Sequence, residues 1–204
     1  MKTHSKDNTR QKILFESVKL FANKGYQAVT VENIASAVGI KAPSLYKHFK
    51  GKRDIFISVL KEMQRRDAEN AAECSLPLES LEDAPQNYEN VSVEAILDFC
   101  KMQFRYWTED EFACSFRKML TVEQYRTKEM NDLYHQYLGK GSLEYTAELL
   151  HSHEDALELY APMYLLYSIY DNASDKKQAY NWLVSHTERW YEKWKHTRTR
   201  SIIH

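Results

Sequence analysis

Apolar residues recur along most of the chain at intervals of three and four, the spacing that gathers them on one face of an α-helix. Leu14, Val18 and Phe21, widened by Ile13 and Leu20, predict a first helix over about 9–23, closed by Gly25 with Tyr26 packing back. Ile34, Ala35 and Val38 make a shorter stripe between Thr30 and Gly39. Thr30 suits an N-cap, because its hydroxyl can accept a free first-turn N–H. Gly39 suits the end, because glycine enters the left-handed region without a clash. Ile40 then fills a corner, and Pro43 belongs in the first turn of the next helix, where a missing N–H costs nothing. Leu45 and Phe49, four apart, point inward. Ile55, Val59 and Met63, flanked by Phe56 and Leu60, predict a fourth helix over about 52–73.

The pattern breaks over 74–91, where Pro77 and Pro85 stand among many acids. This stretch is expected to be a loop with a short helical piece near Leu78, and a loop of that length in a compact domain often carries function. Helical spacing resumes with Val93, Ile96, Leu97, Cys100, Phe104 and Trp107, then Phe112, Phe116, Met119 and Leu120, then Leu133, Tyr134, Tyr137 and Leu138. Gly139 and Gly141 mark a break. Leu143, Ala147 and Leu150 make a short helix ending near His151. The segment 155–172 is apolar over more than one face, with a kink expected at Pro162. A last helix follows over about 176–196. No run alternates in the manner of a strand. The expected fold is all-α, with a three-helix helix-turn-helix head over 1–53 and a helical body over 54–204.

Composition agrees. The 204 residues are 43% hydrophobic, enough for a core, and only 5 Gly and 4 Pro interrupt them. The charge changes the picture more. Residues 1–53 hold 11 Lys and Arg against three acids (Asp7, Glu16 and Glu32), a net +8. The remainder holds 17 basic and 26 acidic residues, a net −9, which hides the division inside an overall −1. Only the head is then suited to a polyanion. No apolar run approaches a bilayer span, and the polar start MKTHSKDNTRQK does not resemble a signal peptide. Cys74, Cys100 and Cys114 lack metal-type spacing and are expected to be reduced thiols in a cytoplasmic protein, a redox pair of Cys100 and Cys114 being the alternative.

A basic, polar helix after a Gly corner points to the major groove of double-stranded DNA. Lys41 and Lys47 can neutralise phosphates or donate to guanine. Ser44 and His48 also face outward, Ser44 suiting a base edge or a phosphate, and the methyl of Ala42 and ring of Pro43 suit a thymine methyl. Tyr46 can reach a phosphate, and Lys50 and Lys52 open a helix whose free N–H groups favour phosphate too. Arg10 and Lys12 are either flanking phosphate contacts or solvated. Residues 1–8 are expected to be a mobile arm that carries Lys2 and Lys6 towards DNA.

The run from Ile13 to Phe56, with LFANKGYQAVTVENIA, the VGI turn and SLYKHFKGKRDIF, resembles the DNA-binding head of the TetR family of bacterial transcriptional regulators. The matching residues are Phe21, Gly25, Thr30, Ile34, Ala35, Gly39, Leu45, Tyr46, Phe49 and Lys52. Lys41 departs from the family, which usually has a small polar cap there. The resemblance implies phosphate contacts from Thr30, Tyr46 and Lys52, an effector pocket among the middle helices, and a homodimer formed by the last two helices. Phe104, Trp107, Phe112, Phe116 and Tyr125 have the character of pocket lining, with Arg105 or Glu109 as a polar anchor, although core packing explains such residues as well. Tyr160, Met163, Tyr164, Tyr167, Leu183, Thr187, Trp190 and Tyr191 are the expected dimer surface, an intramolecular core being the alternative.

Other chemistry finds little support. His151, His153 and Glu154 lack the further ligands of a metal site. There is no Gly-rich phosphate loop or nucleophile elbow, so no catalytic residue, metal or cofactor is expected. The sequence thus reads as a homodimeric repressor released from a palindromic operator by a small molecule. Two rivals are an activator or architectural DNA binder of the same fold without a ligand, and a helical enzyme or carrier with a borrowed head.

Overall fold

The backbone of the first helix, α1 (Lys2–Lys24), is helical almost from the start of the chain. This corrects the expectation of a mobile arm over 1–8: KTHSKDN contains neither Gly nor Pro, so nothing interrupts the hydrogen-bond ladder before Thr9. The structure, a computed structural model, describes residues 2–72 and 91–201, with side chains described for 8–70 and 91–198. The expected loop over 74–91, with its piece near Leu78, lies outside the described residues except for Val91.

The local signals of the head act as the sequence suggests. In α2 (Val31–Val38) the Thr30 hydroxyl accepts the Asn33 N–H at 3.2 Å, and the Asn33 side chain accepts the Thr30 N–H at 3.0 Å, so two end groups are satisfied reciprocally. Gly39 ends α2 in the left-handed region (φ 79°). After the corner comes α3 (Ala42–Leu45), with Pro43 in its first turn and Lys41 at the N-cap, where its side chain makes no capping bond. Then α4 (Lys52–Ala72) runs close to its expected limits.

The remaining described elements are α5 (Val93–Glu109), α6 (Glu111–Glu123), α7 (Lys128–Tyr137), α8 (Lys140–Leu150), α9 (His153–Tyr160), α10 (Pro162–Asn172) and α11 (Lys176–Ser201). Every regular element among the described residues is a helix. Gly139 caps α8, while Gly141 lies inside its first turn rather than in a break. The segment expected as one kinked helix over 155–172 is two helices parted at Ala161, because Pro162 has no N–H to donate to the preceding turn. The last helix continues past His196 to Ser201. No described helix is long and apolar enough to cross a membrane.

Packing divides the chain into two units, Met1–Ala71 with Asp110–Gln136, and Ala72–Glu109 with Tyr137–His204. In the first, α1 packs on α2 and along α6. Its buried side chains include Ile13, Val18, Phe21, Ile34, Leu45, Phe49, Ile55, Phe56, Phe112 and Phe116. Phe21, Tyr26 and Phe56 meet edge to face at 5.1, 5.2 and 6.5 Å between ring centres. In the second, α5 and α8–α11 enclose Ile96, Leu97, Cys100, Leu150, Leu159 and Trp190, and Phe104 stacks on Tyr167 at 5.2 Å. Packing therefore groups α4 and α6 with the head, whereas the 1–53 and 54–204 division is drawn by role.

Candidate nucleic-acid interface

Leu45 is fully buried and Phe49 nearly so, and these two anchors turn the opposite side of α3 to solvent. Lys41, Pro43, Tyr46 and Lys47 are exposed there, Ala42, Ser44 and His48 half-buried. Thr30 is exposed at the head of α2, its hydroxyl hydrogen still available beyond the bond it accepts. The expected DNA-facing residues are thus gathered on the helix-turn-helix, with one change of role.

That change is Lys52. Its ammonium donates to the carbonyls of Tyr26 (2.9 Å) and Gln27 (3.2 Å) and lies 4.5 Å above the Tyr26 ring, so it fastens the turn between α1 and α2. A third N–H is left for a phosphate. Lys12 likewise donates to the Val38 carbonyl at the end of α2 (3.1 Å). Arg10 is drawn inward further: it donates to the His48 carbonyl (2.9 Å) and to the buried Ser58 hydroxyl (3.2 Å), with its guanidinium 4.1 Å over the Phe49 ring. Arg10 is therefore a frame residue rather than a solvated side chain, while Lys12 makes its one carbonyl bond and remains exposed. The physical reason is that carbonyls at helix and turn ends lack intrahelical partners, and cations within reach supply them.

Two acids from the end of α6 and start of α7 complete the frame. Glu123, 2% exposed, accepts the Tyr26 N–H at 3.0 Å and pairs with Arg126 at 3.3 Å. It fits because Gly25 (φ 80°) has no side chain: a Cβ there would stand 3.0 Å from the carboxylate. Glu129 takes both arms of Arg53, at 2.9 and 2.6 Å, and this bond holds its carboxyl below the usual range. On α4, burial pushes the Glu62 carboxyl up, but bonds from Arg65 and Arg66 outweigh that and hold it below the usual range. Sequence reasoning missed Glu123, though the signal was present: it falls three and four residues after Leu120 and Met119, on the apolar face of α6.

The other candidates fare differently. Phe104 and Trp107 are buried in the second unit, Phe112 and Phe116 in the first, while Tyr125 is 87% exposed in the turn after α6 and lines no interior. A cavity of about 70 Å³ beside α11, bordered by Asp155, Trp190, Trp194 and Arg198, is far below the volume of an effector site. Of the expected dimer surface, Tyr160, Met163, Tyr167, Leu183, Thr187 and Trp190 are already buried within the chain. Tyr164 is half-buried with its hydroxyl on the Leu138 carbonyl, and Tyr191 is half-buried with its hydroxyl on Glu94. These helices cover their own core on α5 and α8, the intramolecular packing given as the alternative, and Leu157, Leu165 (65%) and Trp182 (47%) are large apolar residues exposed on α9–α11. His153 pairs with Glu144 at 2.9 Å, and no metal-type cluster is found among the described residues. Burial pushes the Cys100 thiol up to about 12.

Comparisons with known proteins agree with this geometry. Residues 13–59 match the family model described as bacterial regulatory proteins, tetR family. The chain is 32% identical over 91 residues to the biofilm operon icaADBC HTH-type negative transcriptional regulator IcaR of Staphylococcus aureus, covering 44% of this chain and 42% of that one. It is 30% identical over 88 residues to the HTH-type transcriptional repressor AcnR of Corynebacterium efficiens, covering 42% and 47%. The match thus spans less than half the length of these curated relatives. Among solved structures, the fatty acid degradation regulator FadR from Bacillus halodurans superposes with a TM-score of 0.56 at 18% identity, over 89% of this chain and 93% of that one. NalD, the secondary repressor of the MexAB-OprM efflux pump in Pseudomonas aeruginosa, gives 0.53 at 20% identity, over 92% and 98%. Residues 13–59 thus carry a helix-turn-helix similar to that of the tetR family of bacterial regulatory proteins, and the solved structures share the fold over most of the chain.

Proposed function

We propose that the protein is a homodimeric, ligand-responsive repressor of transcription that binds a palindromic operator in the cytoplasm. The observation that carries the reading is the outward face of α3, where Lys41, Pro43, Tyr46 and Lys47 are exposed while Leu45 and Phe49 hold the helix from behind. The match of residues 13–59 to a family of regulatory proteins favours a regulator over an enzyme. Two such heads, spaced about 34 Å apart, read two half-sites of an inverted repeat. Lys41, Ala42, Pro43, Ser44, Lys47 and His48 meet base edges and nearby phosphates, and Thr30, Tyr46 and the third N–H of Lys52 meet phosphates.

The exposed Leu157, Leu165 and Trp182 support a partner subunit on α9–α11, since apolar area of that kind favours leaving water. A small molecule in the body shifts the population towards dimers whose heads are wrongly spaced. Operator DNA must then weaken ligand binding by the same factor. One solved structure that shares the fold, at 14% identity and a TM-score of 0.56, is described as a SmeT–triclosan complex, and a small-molecule effector is proposed here by analogy with it.

The test is footprinting of the purified protein on DNA upstream of its own coding sequence, against random DNA, at two salt concentrations. Protection of two symmetric halves supports the dimeric repressor. Equal affinity for random DNA, lost with salt, refutes specific recognition. Protection that no effector screen relieves favours the ligand-independent binder.

A further inference from the structure

We propose that Glu129 holds Arg53 in reserve, its carboxylate competing with DNA phosphate for the guanidinium, so that this pair sets the affinity of the head for DNA. The inference rests on the DNA-binding reading above.

Arg53 is the last of the 11 cations in the basic segment and the second residue of α4, next to Lys52 and close to the exposed Lys50. Its planar fork suits a carboxylate and a phosphate equally well, because both offer two oxygens at matching separation. In the structure both arms go to Glu129, at 2.9 and 2.6 Å. The pair stands largely in water, with Arg53 55% and Glu129 46% exposed. An ion pair in that setting contributes little to stability and can be displaced by a competing anion. The Phe56 ring lies 5.3 Å from the guanidinium and steadies it whichever oxygens it binds.

The geometry separates this pair from the mounting of the head. Within the same corner, Glu123 is the anchor: it is buried, accepts the Tyr26 N–H and occupies the space left by Gly25. The long packing of α1 along α6 is reinforced at the other end by Lys19 with Glu111 at 2.8 Å, and Arg66 of α4 meets Asp110, the cap of α6, at 3.6 Å. Opening Arg53 from Glu129 therefore leaves the head attached. What changes is the number of cations free to meet phosphates. A movement of the α6–α7 corner that withdraws Glu129 strengthens DNA binding, and one that presses it onto Arg53 weakens it.

The test measures dissociation constants on a random-sequence duplex and on the footprinted repeat across a salt series. The proteins are the wild type, Glu129→Gln, Arg53→Ala and the double variant. Expected for Glu129→Gln is tighter binding at low salt, with a salt slope steeper by about 0.9 for each head, the value of one added phosphate contact. Arg53→Ala stays near the wild type, and the double variant shows no gain. An unchanged or shallower slope in Glu129→Gln overturns the proposal. So does a gain that persists without Arg53, because it then belongs to the lost negative charge alone. Unfolding of Glu129→Gln, seen by circular dichroism, also overturns it, because the pair is then a strut. Failure of the wild type to bind either duplex refutes the DNA-binding reading itself, before any variant is compared.

Discussion

Replacing Arg10 by Ala separates the frame of the head from its reading face. Arg10 donates to the carbonyl of His48, just beyond α3, and to Ser58 on α4, and it covers the Phe49 ring. Hydrogen bonds from a charged donor contribute about 1.5–3 kcal/mol each. The guanidinium is only half-buried, so solvent offsets part of that, and a total loss near 2 kcal/mol in head stability is expected. The effect on DNA should be selective. Arg10 adds no phosphate contact, so the slope of log K against log salt stays at its wild-type value, while discrimination between operator and random DNA falls because α3 loses its rear support. Lys47→Ala should do the reverse to the slope, reducing it by about 0.9 per head; between 50 and 200 mM salt that removes about 3.5-fold of salt sensitivity. Anisotropy titrations on both duplexes across a salt series measure the slopes, and urea melts measure the stability. A slope reduced by about 0.9 in Arg10→Ala would show the guanidinium on a phosphate and refute the frame role. Arg10→Lys keeps the charge and loses the fork, so it should resemble Ala in discrimination.

Three further outcomes can be checked. Thr30→Ala removes a reciprocal cap and should destabilise the head by about 1 kcal/mol, with Thr30→Ser restoring most of it in thermal melts. Glu62 is held below the usual carboxylate range, so the unfolded chain takes up its proton first as pH falls. Its stabilising contribution is full above about pH 4.3 and is lost as pH falls through the lower folded value, so the gap between wild-type and Glu62→Gln melts should close in acid. A gap that stays constant would show that Glu62 is not held by its arginines. Leu165→Glu combined with Trp182→Ala should shift a dimer towards monomer in sedimentation velocity; an undisturbed dimer would place the interface elsewhere.

How far the sequence could be followed depended on how local each signal was. Thr30, Gly39 and Pro43 act on their own neighbours, so α2, the corner and the start of α3 were legible. Pro162 was legible as a disruption but not as the full break at Ala161. Which side of 155–172 faces solvent was not, because the segment is apolar on more than one side and periodicity does not say which side meets the chain's own core. Met163 and Leu183 face inward, Leu165 and Trp182 outward, and all four look alike in one dimension. The cations of the head posed the same problem. Arg10, Lys12 and Lys52 differ from Lys41 and Lys47 only in which carbonyls the tertiary fold brings near them. Tyr125 looked like pocket lining by residue type alone, and its place in a turn put it in water.

The shortness of α3 has a consequence for how such a protein changes over generations. Four residues make too little helix to stand alone, and the position of α3 is held from outside by Leu45, Phe49 and Arg10. Its outward side chains carry little of that task, and Lys41 makes no capping bond at all. A lineage can therefore exchange residues on the reading face one at a time while the scaffold persists. New target sequences become accessible through single substitutions, each selected for what it recognises rather than for whether the head still folds.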